Sequence, residues 1–142
     1  MISRILVPMD DSEMAKKALE YALQNHPDAD VTVFHVVGVP SAFMGEATSL
    51  ALEEDLEDVA EGRAEPVFER AREVAAEYDA ELETEFALGQ PGRAIVRRAE
   101  EFDTVVLGSH GRHSGDVLRR YLVGNVAKTV FNRSPVPVTV VR

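Results

Sequence analysis

Thr104-Val105-Val106-Leu107-Gly108-Ser109-His110-Gly111 is a run of β-forming residues that ends on a glycine and opens into a glycine-bearing loop. A short, continuously apolar run of this kind suits a strand buried on both faces, as in a parallel sheet covered by helices. The glycine at its end marks a place where backbone approaches something closely. Upstream, Gly89-Gln-Pro-Gly-Arg turns into a helix carrying Ala94, Ile95, Arg98 and Ala99, with Pro91 in its first turn. Downstream, Val126 to Phe131 begins a last helix, with Asn125 as its expected N-cap, and Val136 to Val141 reads as a final strand.

The amino-terminal half repeats the alternation. Ile5-Leu-Val, ended by Pro8, is a strand; Ser12 is a candidate N-cap for a helix with Met14, Ala18, Tyr21 and Ala22 on one face. Val31 to Val37 is a β-branched second strand that gives way to Gly38 and Pro40. From about Leu50 to Tyr78, Leu52, Leu56, Val59, Ala60, Val67, Phe68, Ala71, Val74 and Ala75 recur at helical spacing, which predicts one long amphipathic helix with a bend at Gly62. Leu82 to Leu88 alternates apolar and acidic positions, as an edge strand does. Strands alternating with helices imply right-handed crossovers and a doubly wound α/β fold with helices on both faces, here as a single domain over residues 1–142.

Composition narrows the function. The formal charge of −10 argues against a nucleic-acid binder, whose affinity comes from neutralised phosphates. No apolar run approaches the length of a membrane span, and Met1-Ile-Ser-Arg-Ile-Leu-Val-Pro leads straight into two carboxylates, which points to the cytoplasm. The absence of cysteine excludes disulfides and thiolate metal sites. Charge is unevenly spread: Glu46 to Glu85 holds 15 acidic and 3 basic residues, whereas Gly108 to Gly124 sets Arg112, Arg119 and Arg120 against Asp116. Three lysines against twelve arginines on an acidic body suggest a surface adapted to high salt.

In doubly wound sheets, ligands bind at the carboxyl ends of the strands, where the strand order reverses. That edge collects Pro8 to Asp11, His35 to Gly38 and Gly108 to Gly111. Gly108, Gly111 and Gly124, with a helix start behind them and Arg112 nearby, suit a bound phosphate, because backbone amides and a helix N-terminus turn toward the anion. The same glycines would also serve a tight turn. Asp10 suits a ribose hydroxyl or a divalent ion, and Asp11 is assigned mainly to helix capping. His35, inside an apolar strand, reads as a satisfied core residue, while His110 and His113 belong to the glycine loop without a third group to complete a zinc site. No Walker A sequence or nucleophile elbow is present.

Five segments together resemble the universal stress protein family from end to end: Arg4-Ile-Leu-Val-Pro-Met-Asp-Asp-Ser, Val33-Phe-His-Val, Gly89-Gln-Pro, Asp103-Thr-Val-Val-Leu-Gly-Ser-His-Gly111 and Pro135-Val-Pro-Val-Thr-Val-Val. The resemblance implies a five-stranded parallel sheet of order 3-2-1-4-5, a homodimer through the last strand, and in one branch a bound ATP with Mg or Mn. By position, Pro8, Met9 and Asp10 would lie near ribose, phosphates or metal. The Val36 backbone would read adenine, and Gly108, His110, Gly111, Arg112, Gly124 and Asn125 would surround the phosphates. The ATP-binding branch carries Gly-x2-Gly-x9-Gly followed by Ser or Thr; here twelve residues separate Gly111 from Gly124, and Asn125 replaces the hydroxyl. The expected function is a nucleotide-binding stress regulator rather than an enzyme, slow ATP hydrolysis aside. The alternative is a dimeric interaction module that has lost nucleotide. Val136, Val138 and Val140 form the exposed apolar edge expected to pair with a second copy. An ATPase or nucleotidyl transferase finds no general base beyond Asp10. A phospho-receiver is excluded because the third strand ends at Leu88-Gly89 without the required aspartate.

Overall fold

Ile5, Leu6 and Val7 are completely buried, so the first strand lies at the centre of a sheet covered on both sides. The computed structural model describes residues 1–38, 50–110 and 124–142, and within residues 50–77 it describes side-chain environments from residue 55 onward. Five strands, β1 (Arg4–Pro8), β2 (Asp30–Val37), β3 (Leu82–Leu88), β4 (Thr104–Gly108) and β5 (Val138–Val141), alternate with four helices among the described residues. These are α1 (Glu13–Asn25), α2 (Leu50–Glu77), α3 (Pro91–Ala99) and α4 (Asn125–Arg133). The strands are all parallel, in the order β3-β2-β1-β4-β5. β3 is therefore an edge strand, as its alternating pattern predicts.

Alternate side chains of the same strands feed two cores. Ile5, Val7, Val31, Val33 and Val106 pack with Ala18, Leu19, Val67, Phe68 and Ala71 beneath α1 and α2. Leu6, Phe34, Val105 and Leu107 point the other way and pack with Ile95, Ala99, Ala127 and Val130 of α3 and α4. At the amino edge, the Asp103 carboxylate accepts the backbone N–H groups of Ser3 and Arg4, both at 2.9 Å, joining the entries to β1 and β4. Those two amides hold the Asp103 carboxyl below its ordinary pKa. Across the sheet, Arg98 grips Glu85 through two bonds of 2.6 and 2.7 Å, which lowers the Glu85 carboxyl and raises the guanidinium.

Several expectations need correction. Tyr21 is 38% exposed, because the buried stripe of α1 is Met14, Ala15, Ala18, Leu19, Ala22 and Leu23, small residues that let the helix approach the sheet. Val59 is exposed rather than on the inner face of α2, and Ala64 takes a buried place instead. The single long helix expected from about Leu50 to Tyr78 is borne out: α2 runs as one element through Gly62 and Pro66. The last strand begins at Val138, not Val136. Val136, Val138 and Val140 are not an exposed row; they are partly buried against the α3–α4 core, so what β5 offers at the end of the sheet is its backbone.

Glu57, Glu61, Glu65, Glu69, Glu73 and Glu77 are all exposed and follow one another at four-residue spacing along α2. Like charges at that spacing repel. The described contact that relieves this run directly is Arg72 with Glu65, at 3.0 Å. Screening should therefore stabilise the fold: the melting temperature is expected to rise by several degrees between about 0.05 M and about 1 M KCl. A flat or falling curve in a thermal melt would contradict it.

Candidate nucleotide site

The sheet order reverses between β1 and β4, so the crevice lies beyond Pro8 on one side and Gly108 on the other. On the β1 side the chain is pinned to β2. The Met9 N–H donates to the Phe34 carbonyl at 2.9 Å, and the His35 Nδ1 stands 2.7 Å from the Met9 carbonyl oxygen. His35 is thus half-buried and satisfied, in the structural role expected of it. The Asp10 Oδ1 accepts the Ser12 N–H at 2.9 Å, and the Ser12 hydroxyl accepts the Ala15 N–H at 3.1 Å to cap α1. Ser12 is therefore the N-cap. Asp11 is not a cap: its carboxylate pairs with Arg70 of α2 at 3.0 Å.

Val36 lies two residues beyond the point where β2 stops pairing with β1. The Phe34 carbonyl faces β1 and the Val37 carbonyl faces β3, where it accepts the Gly89 N–H at 3.1 Å. Strand alternation then directs the Val36 backbone groups toward the β1 side, past the end of that strand. Its side chain is partly buried against the α3–α4 core.

On the β4 side, Gly108 meets the first turn of α1. A Cβ placed there would lie 2.8 Å from the Met14 carbonyl carbon and 2.9 Å from its oxygen. The close approach that this glycine permits is to a helix backbone. Ser109, only 3% exposed, donates its N–H to the Val141 carbonyl at 2.8 Å, and its own carbonyl accepts the Gly124 N–H at 2.6 Å. A Cβ on Gly124 would sit 3.3 Å from the His110 Cα. The residues flanking 111–123 thus touch, and the amino end of α4 lies against the carboxyl end of β4. The first amides of a helix have no acceptor within it, so this end is suited to an anion.

Gly124, not Asn125, occupies the N-cap position of α4. Asn125 is the first helical residue, is exposed, and its carbonyl accepts the Thr129 hydroxyl at 3.0 Å. Gly111 and Arg112 lie outside the described residues, as do His113, Asp116, Arg119 and Arg120. Among the described residues no cluster of three or more His, Cys, Asp or Glu is arranged to hold a metal, so Asp10 would meet a cation only together with another ligand. No described helix is long and apolar enough to cross a membrane. A cavity of about 300 Å³ opens at the opposite edge, between the ends of α1 and α2. Asp28, Asp30, Asp79 and Glu81 line it, which makes it a poor receptor for phosphate.

The Arg70 tether and the Gly108–Met14 contact were not foreseeable from the sequence pattern, since each joins elements distant along the chain.

The whole chain, residues 1–142, matches the family described as the Universal stress protein family. It is 31% identical to the universal stress protein YxiE of Bacillus subtilis, with each chain covered in full. The solved structure of MJ0577, a universal stress protein of Methanocaldococcus jannaschii, superposes with a TM-score of 0.80 at 27% identity, covering 99% of this chain and 96% of that one. The universal stress protein of Archaeoglobus fulgidus, solved in complex with dAMP, superposes with a TM-score of 0.64 at 22% identity over 100% of this chain and 98% of that one.

Proposed function

The chain belongs to the universal stress protein family, and on that premise we propose that it is a stress-response regulator that holds an adenine nucleotide, ATP with Mg or Mn, at the carboxyl edge of its sheet. The observation that carries this reading is the bond from the Gly124 N–H to the Ser109 carbonyl. It closes the base of the long glycine loop, so three additional residues between Gly111 and Gly124 leave the amino end of α4 beside β4. Phosphates would meet the N-terminal amides of α4, His110 and Gly111, with Arg112 adding charge. Asp10, opposite them after β1, would take the ribose or the phosphate-bound cation, and the Val36 backbone would read the base. The Pro8–Met9 segment, pinned to β2, would form the floor. The dAMP complex of the Archaeoglobus relative supports an adenine nucleotide as the ligand class.

Binding, not turnover, is the role we assign. Ser109 and His110 stand 3.0 Å apart, but a serine this buried is poorly placed to reach a substrate. The protein would act in the cytoplasm as a single-domain subunit of a homodimer joined through the backbone edge of β5. The second reading, an interaction module without nucleotide, rests on Asn125 in place of a hydroxyl residue.

Amide mapping tests the site. With ATP and magnesium, the resonances of Asp10, Val36, His110, Gly124 and Asn125 are expected to move, and those of His26 to Asp30 to stay still. The opposite pattern would place any ligand in the acidic cavity and overturn the assignment.

A further inference from the structure

We infer that Arg70 of α2 is a positioning residue for the nucleotide turn, tethering and neutralising the acidic segment that carries Asp10; this rests on the nucleotide reading given above. One guanidinium reaches across the fold to the loop after β1. Its Nη1 donates to the Asp11 carboxylate at 3.0 Å and to the Asp11 carbonyl at 3.3 Å, and its Nη2 donates to the Glu13 carboxylate. The two carboxylates in return hold the guanidinium proton more tightly than usual.

Asp10, Asp11 and Glu13 place three carboxylates within four residues at the mouth of the crevice. Glu13 lies in the first turn of α1, where the helix dipole favours it. The nucleotide reading places a polyphosphate on the β4 side of this turn, and Arg70 of α2 brings a basic partner to its carboxylates. Arg70 thereby serves two ends. It offsets the charge of Asp11 and Glu13, and it holds the Asp11 carbonyl and the Glu13 side chain on either side of Ser12, whose N–H orients the Asp10 carboxylate. A planar, forked side chain suits both tasks, since it engages two carboxylates and a carbonyl together.

The effect should grow with ligand charge, which separates it from a general loosening of the fold. Titration calorimetry of the full chain with ATP and magnesium, and separately with adenosine, is the test. Arg70→Gln is expected to weaken ATP about fivefold, the size of one exposed charged tether, and adenosine less than about twofold. Arg70→Lys, which keeps the charge and loses the fork, should weaken ATP less than Arg70→Gln does, and adenosine less than about twofold. Equal ATP binding by wild type and Arg70→Gln, or equal losses for ATP and adenosine, would overturn the inference while leaving the nucleotide site standing. Should Arg70→Gln not fold, Arg70→Lys decides in its place: a loss for ATP that exceeds that for adenosine would sustain the inference, and equal losses for the two ligands, or none, would overturn it. A wild type that binds neither ligand overturns the nucleotide reading itself, and this inference with it.

Discussion

Gly108→Val is expected to destabilise the fold by about 3 kcal/mol and to lower the melting temperature by about 10 °C, the upper range for overpacking a rigid contact. The first added carbon would fall within 2.9 Å of three Met14 atoms, two of them backbone. Backbone cannot rotate aside as a side-chain tip can, so either β4 or the first turn of α1 must move. Both carry the proposed site: Ser12, which caps α1, orients Asp10, and β4 leads into Ser109, which anchors Gly124. Nucleotide affinity should therefore fall with stability. Gly62→Ala is the contrasting control. It lies within α2 with nothing inside 4 Å of a new Cβ, and alanine there should stabilise by about 0.5–1 kcal/mol. Paired thermal melts read both effects, and a Gly108→Val protein as stable as wild type would refute the contact.

Leu6→Ala is expected to cost about 2–5 kcal/mol, the range for a buried leucine whose cavity cannot fully collapse. Leu6 is completely buried on the central strand, in register with Thr32 on one side and Val105 on the other. Its side chain packs in the α3–α4 core with Phe34, Ile95 and Leu107. Strands on both flanks restrain relaxation, which favours the larger figure. Urea unfolding that shifts the midpoint without changing its slope would match this account; a loss under about 1 kcal/mol would mean that the core repacks.

Much of this architecture is legible in the residues. The runs Ile5-Leu-Val, Val31 to Val37 and Thr104 to Leu107 are mostly apolar because helices cover both faces, whereas Leu82 to Leu88 alternates because it lies at the edge. Alternation of strands and helices leads from there to the switch point and to Asp10, Gly108 and Gly124. The finer roles depend on geometry that spacing does not carry. Asp11, Ser12 and Asn125 are all capping residue types, and which one caps depends on the turn: Asp10 takes the Ser12 amide, which leaves Ser12 to close α1 and turns Asp11 toward Arg70. Gly108 has the look of a ligand cradle, yet its neighbour is Met14, a contact between elements that only the packed structure reveals. Val138 and Val140 are apolar because they cover α3 and α4, and among the described strands β5 stands last in the sheet.

The central claim is that the edge formed by Asp10, Val36, Ser109 and Gly124 holds an adenine nucleotide despite the longer glycine loop. Calorimetric titration of ligand-stripped protein with ATP and magnesium at high salt, repeated on Asp10→Ala, tests it most directly. The account predicts stoichiometric binding by the wild type, with a dissociation constant of about micromolar order, and binding at least about tenfold weaker once the carboxylate is removed. No heat of binding from a folded wild type, or an Asp10→Ala variant that binds equally well, would contradict it.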